Sequence, residues 1–212
     1  MIIKNVPFFS NTSDNTHCYQ AAIASVLKYF QPEVNYSFKE LEKMSAKKEG
    51  LWTWPTQMIL NLLNKGFEII DVDDFDIAKF VKDGEDYLKE KYGKEVADKQ
   101  IKYSDIKQEQ TLYAQYFKLK KHSQRVPTLK EMSSIINNGS LIICNINARM
   151  LSNKGGYSAH SVVLFGIDDK FVYLHDPGLP PLPNRKVTIE DFNKAWAYPN
   201  KEAKNLTAFK LD

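Results

Sequence analysis

The sequence predicts an α+β protein, with helices in the first part of the chain and an antiparallel sheet in the last part. In segment 18–30, apolar residues recur with the spacing of one helix face. After residue 140, apolar runs of strand length are separated by turn-forming residues, and two such runs flank the turn at 168–170. The chain has 212 residues, which is enough for one domain with a sizeable core.

The first helices are delimited by residues that favour helix ends. Segment 18–30 follows Asn15 and Thr16, either of which is a suitable N-cap. The capping-box pattern at 37–40 predicts a second, short helix. Segment 55–66 begins with proline and ends with glycine, as helices commonly do, and therefore predicts a third helix.

Residues 74–125 differ in composition from the rest of the chain. The segment before them, 67–72, is predicted to be a strand. In 74–125 itself, Lys, Glu, Asp, Gln and Tyr dominate, and apolar residues have helical spacing on both sides of Gly93. We therefore expect a single domain over residues 1–212, in which 74–125 is an inserted lobe of two or three surface helices with a loop near Gly93.

The last part of the chain is predicted to contain two capped helices, several strands and a rigid proline-rich loop. The predicted order is helix 128–139, strand 141–147, strands 161–167 and 171–175, loop 177–183, helix 188–196 and strand 205–211. The two central strands form a hairpin around the turn at 168–170.

Composition limits the classes of function. Hydrophobic residues make up 43% and charged residues 26% of the chain, which is typical of a globular protein. The formal net charge of +3 is too small to indicate a nucleic-acid or membrane-surface binder. Two cysteines cannot form a disulfide scaffold or a zinc site of four thiolates. We therefore expect no cofactor, no nucleic-acid partner and no membrane partner.

The sequence also bears on the cellular compartment. It lacks the basic start and apolar run of a secretory signal, and it has no apolar run long enough to span a bilayer. We therefore expect a cytoplasmic protein whose thiols are reduced.

Cys18 is the first candidate for chemistry. It is predicted to lie in the first turn of a helix, where unpaired backbone N–H groups and the helix dipole favour a thiolate. The alternative is a small buried residue at the start of an apolar face. Cys144 lies within the apolar strand 141–147 and is interpreted as a packing residue.

His160 and Asp176 favour the catalytic interpretation of Cys18. They are equally distant from residue 168, so a hairpin centred there places them across from each other on one sheet face. A carboxylate in that place can hold an imidazole in one orientation, and with a thiol the three residues would form a Cys-His-Asp triad. Considered singly, the histidine could instead be a core residue and the aspartate a turn residue.

The same three side chains are also a conceivable set of metal ligands. A catalytic triad explains them equally well, and the sequence has no closely spaced pair of ligands to support a metal. We interpret His17 as a loop or capping residue, His122 as a solvated residue of a basic run, and His175 as facing away from the sheet face of Asp176.

Four motif blocks resemble the papain-like cysteine peptidases. They are Val-Pro-Phe at 6–8, Cys-Tyr-Gln-Ala-Ala at 18–22, Ala-His-Ser-Val-Val-Leu-Phe-Gly at 159–166 and His-Asp-Pro-Gly at 175–178. Within that superfamily, the blocks are most similar to the bacteriocin-leader (double-glycine) peptidase-like family. The resemblance covers residues 1–66 and 128–212, whereas no block falls within the central lobe.

The resemblance implies a fold, a substrate class and three roles. The fold is papain-like, with an N-terminal helical lobe that carries the Cys helix and packs on a C-terminal antiparallel β-sheet. Cys18 would be the nucleophile, His160 the general base and then acid, and Asp176 the residue that orients the imidazole. The substrate would be a peptide or amide.

Two positions depart from the family pattern. Such peptidases commonly place a glutamine several residues before the cysteine, where it donates to the oxyanion, and this chain has none there. Asn11 or Asn15 could supply an amide in its place, beside the backbone N–H of Cys18. Tyr19 follows the cysteine where glycine is common. Loss of one oxyanion donor slows such reactions ~100–1000-fold, so these departures bear on efficiency and substrate more than on reaction type.

The sequence therefore predicts a thiol-dependent peptidase or amidase that forms a thioester acyl-enzyme. The same residues also fit an acyltransferase, because hydrolysis and transfer differ only in the group that resolves the thioester. A papain-like scaffold that has lost activity and binds a peptide or protein partner is the alternative from another class. The missing glutamine favours this alternative, and the three intact residues oppose it.

Overall fold

A seven-stranded sheet lies at the centre of the computed structural model, which describes residues 2–211. In chain order its strands are β1 (Glu68–Asp73), β2 (His122–Gln124), β3 (Leu141–Asn147), β4 (Ala159–Ile167), β5 (Phe171–Asp176), β6 (Leu182–Thr188) and β7 (Asn205–Lys210). Their order across the sheet is β2-β1-β7-β3-β4-β5-β6. Neighbouring strands are antiparallel, except for the parallel pair β1 and β2. The predicted α+β class is confirmed.

Helices cover this sheet and extend beyond it. They are α1 (Cys18–Phe30), α2 (Phe38–Met44), α3 (Thr56–Asn64), α4 (Ile77–Asp83), α5 (Glu85–Tyr103), α6 (Ile106–Phe117), α7 (Leu129–Asn137), α8 (Ala148–Leu151) and α9 (Ile189–Trp196). A short 3-10 helix, Lys201–Ala203, precedes β7. Across residues 2–211, none of the helices is both long enough and apolar enough to traverse a bilayer.

The main hydrophobic core joins α1 to the sheet. Ile23 and Leu27 of α1 and Leu164 of β4 are fully buried in it. Burial of one such side chain contributes ~1.5–3 kcal/mol relative to exposure, so the apolar face of α1 holds the helix firmly against β4. This packing places the first turn of α1 beside the first residues of β4.

Residues 74–125 form a helical lobe with aromatic residues in its interior. Phe75, Phe80 and Tyr87 pack against one another, with ring centroids 5.0–6.3 Å apart. Gly93 interrupts α5 with a φ of 75°, a left-handed conformation that glycine adopts without steric cost, at the place where a loop is predicted. The lobe also supplies β2 to the sheet. That it is an insertion within one domain stays a prediction.

Two strands are absent from the sequence-based prediction. β2 has only three residues and follows a basic run, so it lacks a strand pattern. β6 is an edge strand whose residues are mostly exposed, and its polar sequence does not alternate with apolar residues. Its first residues were predicted to belong to the loop 177–183.

Of the capping boxes predicted for α2 and α7, one is complete and the other forms only in part. At α2 the capping box is complete, because the Ser37 hydroxyl accepts from the Glu40 backbone N–H at 3.2 Å and the Glu40 carboxylate accepts from the Ser37 N–H at 2.7 Å. At α7 only half of the box forms. Thr128 accepts from the Glu131 N–H at 3.2 Å, whereas the Glu131 carboxylate pairs with Arg125 instead.

Candidate active site

Cys18 is the first residue of α1, as predicted, and the residue as a whole is partly exposed. Backbone N–H groups of a first helical turn lack partners within the helix, so they favour negative charge at this position. The predicted N-cap is wrong, because His17 holds that position, with a φ of −113°. Thr16 instead donates from its hydroxyl to Asp14 at 2.8 Å, and Asn15 has a left-handed φ of 58° in the preceding loop.

His160 near the start of β4 contacts Asp176 at the end of β5. The distance between Nε2 of His160 and Oδ1 of Asp176 is 2.6 Å, and both side chains are buried. The strand register differs from the prediction. Val163 pairs with His175, so the position that would lie opposite His160 is two residues beyond Asp176. The turn is centred later in the chain than residue 168. A shift of two residues keeps both side chains on one sheet face, so the contact still forms.

Asp176 has two further partners that fix its orientation. Nη1 of Arg185 on β6 donates to Oδ2 at 2.6 Å, and the backbone N–H of Gly178 donates to Oδ1 at 3.0 Å. Nη2 of Arg185 donates to the carbonyl of Leu151 at 3.0 Å and so anchors the guanidinium. Hydrogen bonds between charged groups are strong, and both carboxylate oxygens are engaged. Sequence reasoning missed Arg185, because it lies in a polar edge strand without a motif.

His160 and Asp176 each stabilise the charged form of the other. Burial alone would lower the pKa of His160, but its hydrogen bonds with Asp176 and Cys18 and their negative charges raise it to about 10. Burial alone would raise the pKa of Asp176, but the hydrogen bond with His160 and the charge of the imidazolium lower it to about 2. At neutral pH this arrangement favours an imidazolium next to a carboxylate.

The two thiols have opposite environments. Burial raises the pKa of the Cys18 thiol, but the hydrogen bond with His160 and the positive charge of its ring bring it below the ordinary value. Because Nε2 of His160 binds Asp176, Nδ1 is the ring nitrogen left for the thiol. Cys144 is fully buried in β3, and burial raises its pKa well above the ordinary value. A thiolate is therefore favoured at Cys18 and disfavoured at Cys144.

A cavity of about 160 Å³ opens beside Cys18 and His160. It lies between the sheet and the helical lobe, and residues of both line it. Its aromatic lining includes Trp52, Trp54, Phe75, Tyr92, Tyr113 and Tyr157. Sequence reasoning did not anticipate this cavity, since its walls come from segments that are far apart in the chain.

Comparison with known proteins identifies the family. The model of the Peptidase_C39 like family matches residues 3–204 of this chain. The chain belongs to the Peptidase_C39-like family. None of the curated proteins matches it. The resemblance of its motif blocks to this group of papain-like cysteine peptidases is thereby confirmed.

Two solved structures share the fold of this C39-like chain. A protein described as a C39-like peptidase from Bacillus anthracis is 16% identical, with a TM-score of 0.55 over 100% of this chain and 97% of that one. The peptidase domain of Streptococcus ComA, a bifunctional ABC transporter of a quorum-sensing pathway, is 14% identical, with a TM-score of 0.52 over 98% of this chain and 100% of that one. The papain-like fold is therefore confirmed, and the family is one of cysteine peptidases, whose substrates are peptides.

Asn11 and Asn15 of this C39-like chain lie in the loop before α1. Oδ1 of Asn11 accepts from the backbone N–H of His17 at 2.8 Å, and Nδ2 of Asn11 donates to Oδ1 of Asn15 at 2.9 Å. Asn11 is buried and Asn15 is exposed. Asn11 is therefore fixed next to the start of the Cys18 helix, and a role for either amide in binding an oxyanion stays a prediction.

Two other histidines have well-defined partners. His175 is buried, its Nδ1 accepts from the Asn184 N–H at 3.1 Å, and its Nε2 donates to the Val6 carbonyl at 3.0 Å. His122 was predicted to be solvated, which is wrong, because its Nε2 lies 2.6 Å from Oδ1 of Asp73. Among residues 2–211, no group of three or more His, Cys, Asp and Glu side chains is arranged as a metal site.

Proposed function

We propose that this chain is a cysteine peptidase in which Cys18 is the nucleophile, His160 the general base and acid, and Asp176 the residue that orients His160. The observation that supports it most is the buried 2.6 Å contact between Nε2 of His160 and Oδ1 of Asp176, beside the first turn of the Cys18 helix. A nucleophile, a base and a group that holds the base are the elements of a catalytic triad.

In the first half of the reaction, the Cys18 thiolate attacks the carbonyl carbon of a peptide bond. A carbon–sulfur bond forms, and the electron pair of the C=O double bond moves to the oxygen. When this pair returns, the carbon–nitrogen bond breaks, and the His160 imidazolium gives its proton to the departing amine. The products are a free amine and a thioester on Cys18.

In the second half, water resolves the thioester. His160, now neutral, takes a proton from the water molecule as its oxygen attacks the carbonyl carbon. The carbon–sulfur bond then breaks and its electron pair returns to sulfur. This step releases a carboxylic acid and restores the thiolate and imidazolium. Asp176 keeps the imidazole oriented throughout and stabilises its positive charge.

The backbone N–H of Cys18 and the Nδ2 group of Asn11 are the proposed donors to the developing oxyanion. The Cys18 N–H belongs to the first turn of a helix, where backbone N–H groups have no partner within the helix. Asn11 is fixed next to this turn by its hydrogen bond with His17, and Asn15 accepts from Asn11 and therefore acts as its support. Asn11→Ala is expected to lower kcat by ~100-fold, as loss of an oxyanion donor does in related chemistry.

The function is tested by trapping the acyl-enzyme. The full-length protein is mixed with a pool of synthetic peptides, quenched in acid within seconds, and analysed by intact mass and peptide mapping. We expect new peptide termini in the supernatant and an acyl adduct on Cys18. Cys144→Ala is the matched control and should retain both signals, whereas Cys18→Ala should lose both.

Two outcomes would contradict the proposal. One is peptide cleavage that persists in Cys18→Ala, and the other is an absence of any adduct or product in the presence of a varied peptide pool. An adduct that is resolved by added amines but not by water would identify an acyltransferase instead.

A further inference from the structure

The cavity beside the candidate nucleophile has walls made largely of aromatic rings. Phe75 lies edge-on to Trp54 and tilted towards Tyr113, with ring centroids 6.2 Å and 5.2 Å away. Trp52 and Tyr157, which also line the cavity, meet edge to face at 6.3 Å. Aromatic rings are neutral overall but have negative faces and positive edges, so these walls present partial charges to a guest.

Two carboxylates also line this cavity. Asp71 and Asp73 are two residues apart on β1 and therefore lie on the same sheet face. Both oxygens of Asp71 accept hydrogen bonds, from the Thr207 hydroxyl at 2.9 Å and the Tyr116 hydroxyl at 3.0 Å. Oδ1 of Asp73 lies 2.6 Å from Nε2 of His122, whereas its Oδ2 has no hydrogen-bond partner within the described part of the chain.

The two carboxylates have different kinds of partner. Burial and the charge of Asp73 raise the pKa of Asp71 to about 6, which is still below neutral pH. Burial lowers the pKa of His122, but its hydrogen bond with Asp73 and the charge of that carboxylate bring it above the ordinary value. Lys91, which is also nearby, pairs with Asp74 instead. Asp73 is therefore paired with a basic group, whereas the hydrogen bonds to Asp71 come from two hydroxyl groups.

We propose that this cavity is a specificity pocket for a cationic nitrogen group of the substrate, next to the carbonyl that Cys18 attacks. The proposal rests on the peptidase function above, because it assigns the cavity to the substrate of the same site. The guest would be a Lys or Arg side chain or a free amino group. Trp and Tyr rings attract such cations, and the unmatched carboxylate compensates their charge.

The size and polarity of the cavity argue against other guests. At about 160 Å³ it is close to the ~150 Å³ of an engineered cavity that binds benzene, so it accepts one side-chain-sized group. A neutral apolar side chain would fill the space but would remove water from the carboxylates without replacing its hydrogen bonds. An acidic side chain would be repelled.

The experiment measures binding in the full-length Cys18→Ala protein. The probes are Nα-acetyl-lysine methylamide and the uncharged norleucine analogue, and the readout is the NMR shift of the Trp52 and Trp54 indole signals. We expect the lysine compound to bind at least ~10-fold more tightly. Nα-acetyl-arginine methylamide and n-butylamine are added to distinguish a guanidinium and a free amine from a lysine side chain.

Three variants relate the preference to the carboxylates. Asp73→Asn should reduce the preference for the lysine compound over the norleucine compound to about threefold or less. Asp169→Asn, which removes the same charge at an exposed position, should leave this preference unchanged. His122→Gln removes the opposing positive charge, so the preference should be retained or increased. Circular dichroism reports whether each variant is folded.

Equal or tighter binding of the norleucine compound to the parent protein would overturn the proposal, and so would a preference that persists in folded Asp73→Asn. If Asp73→Asn does not fold, a loss of preference in His122→Gln overturns it equally. Because binding is measured without the nucleophile, the pocket can fail while the acyl-enzyme on Cys18 still forms. Conversely, the lysine compound can bind preferentially in Cys18→Ala even if no acyl-enzyme forms in the parent protein.

Discussion

At the scale of single residues, Asp176 connects the candidate site to the rest of the molecule. One of its oxygens contacts His160 and the other binds Arg185. The sequence predicted the cysteine, the histidine and the aspartate, because each lies in a motif block with a recognisable helix start or strand end. Arg185 could not be predicted, since its role depends on the pairing of β5 with β6, which no local pattern in its own strand indicates.

Asp176→Asn tests the electrostatic role of this carboxylate. The substitution keeps a side-chain oxygen but removes the charge, so the pKa of His160 should fall from about 10 towards its ordinary value. The imidazolium would then be lost at lower pH, and the upper limb of the pH–activity profile should move down by a corresponding amount. We expect kcat/KM at pH 8 to decrease ~100-fold.

The titration is measured by NMR on the Cε1–H signal of His160. Asp169→Asn is the matched control, because Asp169 is exposed in the turn between β4 and β5, at the other end of β4 from His160. A His160 titration that is the same in Asp176→Asn as in the parent protein would refute the electrostatic role.

At the scale of elements, the loop between β5 and β6 packs directly against His160 and Asp176. A Cβ atom at Gly178 would lie 2.9 Å from Oδ1 of Asp176 and 3.3 Å from Nε2 of His160. Both distances are shorter than ordinary van der Waals contact, so only glycine fits without displacement of the pair. Gly178 of this loop therefore matters in two ways: its backbone N–H binds Asp176, and its lack of a side chain leaves room for the pair.

Gly178→Ala should displace the carboxylate from the imidazole. We expect kcat to fall ~10-fold or more, because small misplacements of catalytic groups have large effects on rate, while the free energy of unfolding changes by only ~1 kcal/mol. Gly155→Ala is the control, since a Cβ there has nothing within 4 Å. An active Gly178→Ala variant with an unchanged pH profile would show that the close contact is unimportant.

Elements with strong patterns were predictable and elements with weak patterns were not. α1 has the predicted bounds, because its large apolar residues recur at helical spacing, although residues 19–27 are buried on all sides rather than on one face. β6 is an exposed edge strand and lacks such a repeat. The hairpin of β4 and β5 was predicted with the correct faces but the wrong register, because the position of its turn depends on contacts around Asp168 rather than on the apolar pattern.

At the scale of the whole molecule, a buried carboxyl makes stability depend on pH. Glu109 of α6 is 5% exposed, and burial raises its pKa to about 8. Between its unfolded value of ~4.3 and about 8, the folded state binds a proton that the unfolded state has lost. The free energy of unfolding therefore falls as pH rises through this window, by at most ~1.4 kcal/mol per pH unit, and the decrease ends above it.

Glu109→Gln should remove this part of the pH dependence. The variant should gain stability relative to the parent protein as the pH rises from 6 to 8, because an amide has no charge to bury. Urea unfolding at pH 6, 7 and 8 measures the difference, in which the contributions of His160 and Asp71 cancel. Glu33→Gln, an exposed change, is the control. A constant difference across this range would show that Glu109 does not titrate between folded and unfolded states.

The central claim is that His160 makes Cys18 a reactive thiolate at neutral and mildly acidic pH. The most direct test is the second-order rate of iodoacetamide alkylation at each cysteine, followed by peptide mapping from pH 4 to 9 in the parent protein and in His160→Ala. At pH 6 we expect Cys18 to react ~10-fold or more faster in the parent protein than in the variant, and Cys144 not to react in the folded state. The claim is contradicted if Cys18 reacts no faster than Cys144, or if His160→Ala leaves its rate unchanged.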